Sequence, residues 1–167
     1  MIAANPDVII RPATLADIPV IGRLGALLVR AHHEFDRARF IAATPRTEQG
    51  YGSYLGSQLD AQDVIILVAE EGGEVVGYTY ATVEGYDYMS LRGPAGVLHD
   101  IVVDPAHRGA RIGRQLLDAT LAALLAHGAP RVVLSTAEQN APAQRLFAGA
   151  GFRRTMVEMT RELNRDG

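Results

Sequence analysis

An apolar segment that leads through a short loop into a long amphipathic helix constrains this fold more than any other part of the chain. Residues 97–103, VLHDIVV, predict a strand that Asp104-Pro105 ends. Apolar side chains then recur at helical spacing on one side of the next segment, namely Ile112, Leu116, Leu117, Leu121, Leu124 and Leu125. Gly128 and Pro130 stop this helix. The N-terminus of a helix is therefore expected beside the end of a strand.

The loop between them, DPAHRGARIG, has the properties of an anion site. The first N–H groups of a helix have no acceptor within it, and its dipole favours negative charge there. Gly109 and Gly113 permit close approach to the backbone, and Arg108 and Arg111 add positive charge. A plain strand-to-helix connection explains the same residues. The G-x-G-x-x-G of a Rossmann site and the lysine-containing loop of a Walker site are both missing.

The other segments alternate between helical and strand patterns. We predict strands over residues 8–11, 63–70, 74–84, 132–135 and 152–163, with a hairpin turn at Gly72-Gly73. Helices are predicted from Thr14 or Asp17 to about His32, over residues 51–59 and over residues 140–148. This order predicts an α/β fold with a mixed sheet, in a single domain over residues 1–167.

Composition excludes several kinds of chemistry. The 167 residues include no Cys, and all 16 basic residues are Arg. A disulfide framework, a cysteine nucleophile and a Schiff-base lysine are thereby excluded. The net charge of −3 argues against a general nucleic-acid binder. Because there is no bilayer-spanning apolar run and no secretory signal pattern, we expect a cytoplasmic protein without a membrane partner.

Three segments resemble motifs of the GNAT superfamily of acetyl-CoA-dependent N-acetyltransferases. The run VLHDIVVDPAHRGARIGRQLL contains a loop similar to the family's pyrophosphate motif, R/Q-x-x-G-x-G/A. The run NAPAQRLFAGAGF over residues 140–152 is similar to N-x-x-A-x-x-L/F-Y/F-x-x-x-G-F, and residues 10–18 resemble the usual first strand and helix. The three segments stand in the family's order and spacing and cover most of the chain.

The resemblance implies an α/β, GNAT-like fold, in which a mixed and mostly antiparallel twisted sheet has helices on both faces. Its central strands would be splayed where CoA binds. Loop N–H groups would hold the pyrophosphate, the strand end would pair with the pantetheine arm, and Asn140 would bind that arm or shape its channel. The residues so implied in binding acetyl-CoA are Ile101, Val102, Val103, Arg108, Gly109, Ala110, Arg111, Ile112, Gly113, Arg114, Asn140 and Phe147.

Two positions depart from the family pattern. Arg111 stands where Gly is usual in the loop, and we expect its backbone to be already helical, so that the side chain causes no strain. Phe147 stands where many relatives have a Tyr whose hydroxyl protonates the leaving thiolate. Phe cannot donate a proton, so this acid is missing or is supplied by another group.

Acetyl transfer to an amine needs a group that accepts the amine's proton. The resemblance implies a base on the central strand, where this chain has His99 and Asp100. Strand alternation predicts these two side chains on opposite faces of the sheet. A packed sheet histidine and a structural carboxylate are the alternatives.

The resemblance places the acceptor pocket between the first helix pair and the loop before the central strand. The candidates there are His33, Glu34, Glu84, Tyr86 and Tyr88, with their neighbours His32, Asp36 and Asp87. Acidic side chains would receive a cationic amine and tyrosines would form an aromatic wall, whereas ordinary solvated residues are the alternative. No metal site is expected, because adjacent histidines diverge on a helix.

The sequence thus predicts an N-acetyltransferase that moves an acetyl group directly from acetyl-CoA to a primary amine of a small molecule. The sequence does not decide the oligomeric state, and a homodimer is one option because relatives in the family are often dimers. A noncatalytic acyl-CoA-binding sensor or interaction domain is an alternative of another class. A protein or peptide N-acetyltransferase is the alternative within the enzymes.

Overall fold

The fold is a five-stranded sheet between two pairs of helices, in a computed structural model that describes residues 7–108 and 111–164. Two 3₁₀ turns, Leu15–Asp17 and Pro105–His107, precede the first and third helices. The elements in chain order are β1 (Val8–Pro12), α1 (Ile18–Phe35), α2 (Thr47–Gln58), β2 (Val64–Glu71), β3 (Glu74–Glu84), β4 (Ala95–Val103), α3 (Ile112–Ala126), β5 (Val132–Leu134) and α4 (Ala141–Gly149). No helix in these described ranges is long and apolar enough to cross a membrane.

The sheet has the strand order β1-β2-β3-β4-β5, and all pairs are antiparallel except β4 with β5. Helices α1 and α2 pack on one face around Ile21, Leu24 and Leu55, and α3 and α4 pack on the other around Leu117 and Phe147. The prediction of a mixed, mostly antiparallel sheet with helices on both faces is therefore confirmed.

The hairpin of β2 and β3 forms where the two consecutive glycines predict it. Gly72 and Gly73 have φ of +58° and +84°, the left-handed region that a tight two-residue turn requires and that glycine adopts without strain. The Val and Ile side chains of β2 and the Val and Tyr side chains of β3 then pack between the helix layers.

The central strands separate as expected. β5 pairs with β4 only from Gly96 to Leu98, and Leu134 is its last paired residue. From His99 onward, β4 has no strand partner on that side among the described residues. Its backbone is therefore available there to another hydrogen-bonding group.

The predicted strand over residues 152–163 is wrong. The structure has no strand there, and Met156, Val157, Met159 and Leu163 are 72–90% exposed. An alternating pattern forms a strand only where a neighbour supplies ladder hydrogen bonds, and the edge strand β5 has only three residues. The segment is instead tied to the surface by ion pairs of Arg154 with Glu138 and of Glu158 with Arg39.

Glycines let α1 and α2 approach each other closely. A Cβ on Gly22 would lie 2.5 Å from the carbonyl oxygen of Glu48, and one on Gly25 would lie 2.2 Å from the Tyr51 ring. No side chain fits at these distances, so the absence of a Cβ sets how near α2 lies to α1. This contact places the side chains of Tyr51 and Leu55 over the sheet.

We expect Gly22→Ala to lower the free energy of unfolding by about 1–3 kcal/mol, because its methyl group meets backbone atoms of α2. The matched control is Gly50→Ala on α2, where a Cβ meets nothing within 4 Å. There the better helix propensity of Ala should stabilise the protein by about 0.5–1 kcal/mol. Urea unfolding measures both variants. Equal stability of the two would contradict close packing of α1 on α2.

Candidate active site

A β-bulge brings His99 and Asp100 to the same face of the sheet. Tyr80 pairs with Asp100 and Ala81 pairs with Leu98, so that His99 is an extra residue in β4. Leu98 packs under α3, whereas the His99 ring stacks on Tyr80 at 5.0 Å on the face that α1 and α2 cover. The prediction of opposite faces is therefore wrong, because alternation holds only along a regular strand.

The two side chains line one cavity of about 260 Å³. Its sheet side is formed by His99, Asp100 and Tyr80, and its helix side by residues of α2. The complete lining is Tyr51, Tyr54, Leu55, Tyr80, His99 and Asp100. At about 30 Å³ per water molecule, this is the volume of about nine water molecules, which is enough for the polar end of a small molecule.

Asp100 is a buried carboxylate held by two tyrosines. The hydroxyls of Tyr51 and Tyr78 donate to Oδ2 over 2.8 and 2.9 Å, while Oδ1 has no hydrogen-bond partner within the described residues. Burial raises the pKa of the Asp100 carboxyl, and the two tyrosine hydrogen bonds act in the opposite direction. Burial and the nearby carboxylate also raise the pKa of Tyr51 and Tyr78, which therefore stay protonated donors.

His99 takes part in a polar chain along the sheet. Its Nε2 lies 2.9 Å from Thr82 Oγ1 and 3.4 Å from Glu84 Oε2, and Thr82 Oγ1 donates to the same Glu84 oxygen over 2.5 Å. The guanidinium of Arg92 lies 3.3 Å from the other Glu84 oxygen. Glu84, expected as a residue that contacts the acceptor, thus lies beside the expected base.

The N-terminus of α3 lies just past the end of β4. The first hydrogen bond within the helix runs from Gln115 N–H to Arg111 O, so the N–H groups of Ile112, Gly113 and Arg114 have no acceptor inside it. A Cβ on Gly113 would be in ordinary contact with Val103 and Leu146, so this glycine is not required for space. Gly109 and Ala110 lie outside the described residues.

Arg111 does not have the helical backbone that we expected. Its φ of 59° and ψ of 21° place it in the left-handed region immediately before α3. The position needs the conformation that glycine adopts freely, which is a physical reason for the family's usual Gly there. The expectation of a position without strain is therefore wrong.

The other residues expected at the acetyl-CoA site have structural contacts of their own. Arg114 pairs with Asp118 at 2.9 Å and donates to the Gly149 carbonyl, and Arg108 is exposed. Asn140 Oδ1 accepts the Ala143 N–H at the start of α4. Phe147 is buried and meets Phe152 edge to face at 5.8 Å. Ile101 and Val103 face the α3 side of β4, and Val102 faces α1 and α2.

The remaining acceptor candidates are not brought to the cavity. The Nδ1 atoms of His32 and His33 donate to backbone carbonyls, Glu34 pairs with Arg37, and Asp36 accepts the N–H of Ala38 and Arg39. Tyr86 and Tyr88 stack on each other at 6.0 Å and are exposed, and Asp87 caps the turn that follows it. None of these side chains lines the cavity.

The tyrosines of the site were not predicted from the sequence. Tyr51 and Tyr54 are on α2, whose apolar periodicity is weak, so their direction could not be inferred from spacing. Tyr78 and Tyr80 alternate with small residues along β3, and this pattern indicates a shared face without indicating a cavity.

The chain belongs to the Acetyltransferase (GNAT) family, whose sequence profile matches residues 29–152. A mycothiol acetyltransferase of Thermobispora bispora is 38% identical over 97 residues, which is 56% of this chain and 31% of the relative. The L-methionine sulfoximine/L-methionine sulfone acetyltransferase of Salmonella typhimurium is 33% identical over 91 residues, which is 52% of this chain and 49% of the relative. The chain thus spans less than half the length of either relative.

Solved structures support the fold. The crystal structure of a mutant BH1408 protein from Bacillus halodurans has a TM-score of 0.80 with this chain at 22% identity. The match covers 93% of this chain and 99% of the other. The GNAT-like α/β fold is therefore shown by both sequence and structure.

Strain at Arg111 is testable by a pair of substitutions. Arg111→Gly and Arg111→Ala both remove the guanidinium, but only Ala keeps the Cβ. A left-handed backbone costs about 1–2 kcal/mol with a Cβ, and the greater freedom of unfolded Gly offsets about 0.4–1 kcal/mol of this. We therefore expect the Gly variant to be about 0.5–1 kcal/mol more stable in urea unfolding. An Ala variant at least as stable as the Gly variant would contradict the strain.

Proposed function

We propose that this protein transfers an acetyl group directly from acetyl-CoA to a primary amine of a small molecule. One observation carries the proposal: His99 and Asp100 face one small cavity at the point where β4 separates from β5. A basic side chain and a buried carboxylate at the opening between these strands suit a protonated amine that must lose a proton before it attacks.

The donor would be held by backbone groups. The free N–H groups of Ile112, Gly113 and Arg114 suit a pyrophosphate, and the unpaired edge of β4 from His99 to Val103 suits the amides of the pantetheine arm. Bound acetyl-CoA supplies the activated acetyl group as a thioester. With no Lys in the chain, the charge for the phosphates would come from Arg side chains and the helix N-terminus.

His99 is the base in this proposal. Its ring lines the cavity and is partly exposed, whereas Asp100 is buried and its Oδ2 already accepts two hydrogen bonds. Asp100 Oδ1 would accept a hydrogen bond from the amine and orient it. Tyr51, Tyr54 and Tyr80 would surround the amine with aromatic rings, which favour a cation.

The cavity volume suits the amine end of a small molecule. A primary amine and the carbon that carries it fit within about 260 Å³, together with several further atoms of the acceptor. The named substrates of the Salmonella relative are amino acid derivatives, which supports including this class among the acceptors to be tested. The cytoplasm remains the predicted location.

The proposal predicts binding and turnover that can be measured separately. Acetyl-CoA at 100 times its Kd should stabilise the protein by about 2.7 kcal/mol and raise Tm by roughly 5–10 °C. Thiol release is then followed with L-methionine sulfone, other amino acids, polyamines, aminoglycosides and short peptides. Because the chain has no Cys, every thiol detected comes from CoA.

His99→Ala should lower kcat by about 10²–10⁴-fold, as loss of a general base does, and leave the acetyl-CoA shift in Tm unchanged. Asp100→Asn should mainly raise KM for the amine. His127→Ala is the matched control, because this exposed histidine at the end of α3 does not line the cavity.

Other outcomes would decide against the proposal. Binding without release on any acceptor would favour a noncatalytic acyl-CoA sensor, and release on peptides alone would favour a peptide N-acetyltransferase. A Tm unchanged by saturating acetyl-CoA would contradict the whole proposal, and full activity of His99→Ala would exclude His99 as the base.

A further inference from the structure

We propose that Thr82 and Glu84 are positioning residues that hold His99 in one tautomer, with the proton on Nε2 and the lone pair on Nδ1. The inference deepens the proposed function, since it rests on His99 as the base, and assigns the atom that accepts the amine's proton. It is carried by the geometry of three side chains on neighbouring strands.

The single hydroxyl hydrogen of Thr82 decides which atoms donate and which accept in the hydrogen bonds among His99, Thr82 and Glu84. Thr82 Oγ1 lies 2.5 Å from Glu84 Oε2, and an ionised carboxylate only accepts hydrogen bonds. The hydroxyl hydrogen therefore points to Glu84, and Thr82 Oγ1 must accept at its other neighbour. That neighbour is His99 Nε2 at 2.9 Å, which consequently carries a hydrogen.

Two further contacts keep the chain in this arrangement. The guanidinium of Arg92 lies 3.3 Å from Glu84 Oε1 and helps to hold the Glu84 side chain in place. The Tyr80 ring stacks on the imidazole at 5.0 Å with an interplanar angle of 27°, which limits rotation of the imidazole ring. Nδ1 has no hydrogen-bond partner among the side chains and backbone that the structure describes.

The proton balance of the step follows from this tautomer. An N–H bond of the acceptor's ammonium group breaks, its electron pair stays on the amine nitrogen, and an Nδ1–H bond forms. His99 then carries hydrogens on both nitrogens and one positive charge, and the Glu84 carboxylate lies 3.4 Å from Nε2. The opposite tautomer carries its hydrogen on Nδ1 and could not accept the proton at that atom.

Nitrogen-15 NMR of the free protein reads the tautomer without any substrate. Long-range coupling between the ring hydrogens and nitrogens identifies which nitrogen of neutral His99 is protonated, and His99→Ala assigns the signals. We expect Nε2–H in the parent protein. Thr82→Val removes the hydroxyl at nearly constant size and should leave a mixture of tautomers, whereas Thr82→Ser should restore the parent pattern.

Kinetics on an amine that the acceptor panel shows to be acetylated give the second readout. Thr82→Val should lower kcat by about 10-fold, less than loss of the base, with KM for acetyl-CoA unchanged and Thr82→Ser close to the parent. Nδ1–H as the main tautomer of the parent would overturn the proposal. An unchanged tautomer and kcat in Thr82→Val would also overturn it.

The two proposals fail in different ways. Suppose that His99 is protonated on Nε2 and that Thr82→Val alters the tautomer, but that His99→Ala retains full activity. The positioning role of Thr82 and Glu84 then stands, and the assignment of His99 as the base is wrong. If His99→Ala is inactive but the parent carries Nδ1–H, the assignment of His99 as the base stands and the proposed role of Thr82 and Glu84 in holding its tautomer is wrong.

Discussion

The extra residue in β4 is the feature on which the rest of the site depends. In a regular antiparallel pair, His99 and Asp100 would face opposite sides of the sheet, and so would Leu98 and Ile101. The bulge opposite Tyr80 and Ala81 instead places His99 and Asp100 together on the face that α1 and α2 cover, and it leaves Leu98 before them and Ile101 after them both in the core under α3. One extra residue in β4 thus brings a basic and an acidic side chain into the same cavity. The bulge also coincides with the point where β4 loses β5 as a partner.

The helix layer over this face completes the cavity. Close contact at Gly22 and Gly25 brings α2 down toward the sheet, and Tyr51 reaches the buried Asp100 carboxylate from there. A buried carboxylate is costly unless it is hydrogen-bonded, and Tyr51 and Tyr78 supply two donors to the same oxygen. The close packing of α1 and α2 through glycine therefore also positions Tyr51, one of the two donors that stabilise the buried Asp100 carboxylate. The raised pKa of Asp100 shows that the hydrogen bonds do not fully offset its burial.

Much of the fold could be predicted from sequence because its signals are local. Gly72-Gly73 predicts the hairpin, the leucine spacing predicts α3, and β3 has the predicted limits. His99 and Asp100 could be located on the central strand. Their common face could not, because a bulge is a property of the pairing between β3 and β4. The left-handed Arg111 and the unpaired residues 152–163 were missed for a similar reason: each depends on neighbours distant in the sequence or on the geometry of a loop.

A crystal structure with bound acetyl-CoA tests the central claim most directly, namely that the bulged strand forms the reaction site. The account predicts the pyrophosphate at the N–H groups of Ile112, Gly113 and Arg114, with the acetyl group entering between β4 and the end of β5 and facing the cavity of His99 and Asp100. An acetyl group on the α3 face of the sheet, or a pyrophosphate away from the start of α3, would contradict it.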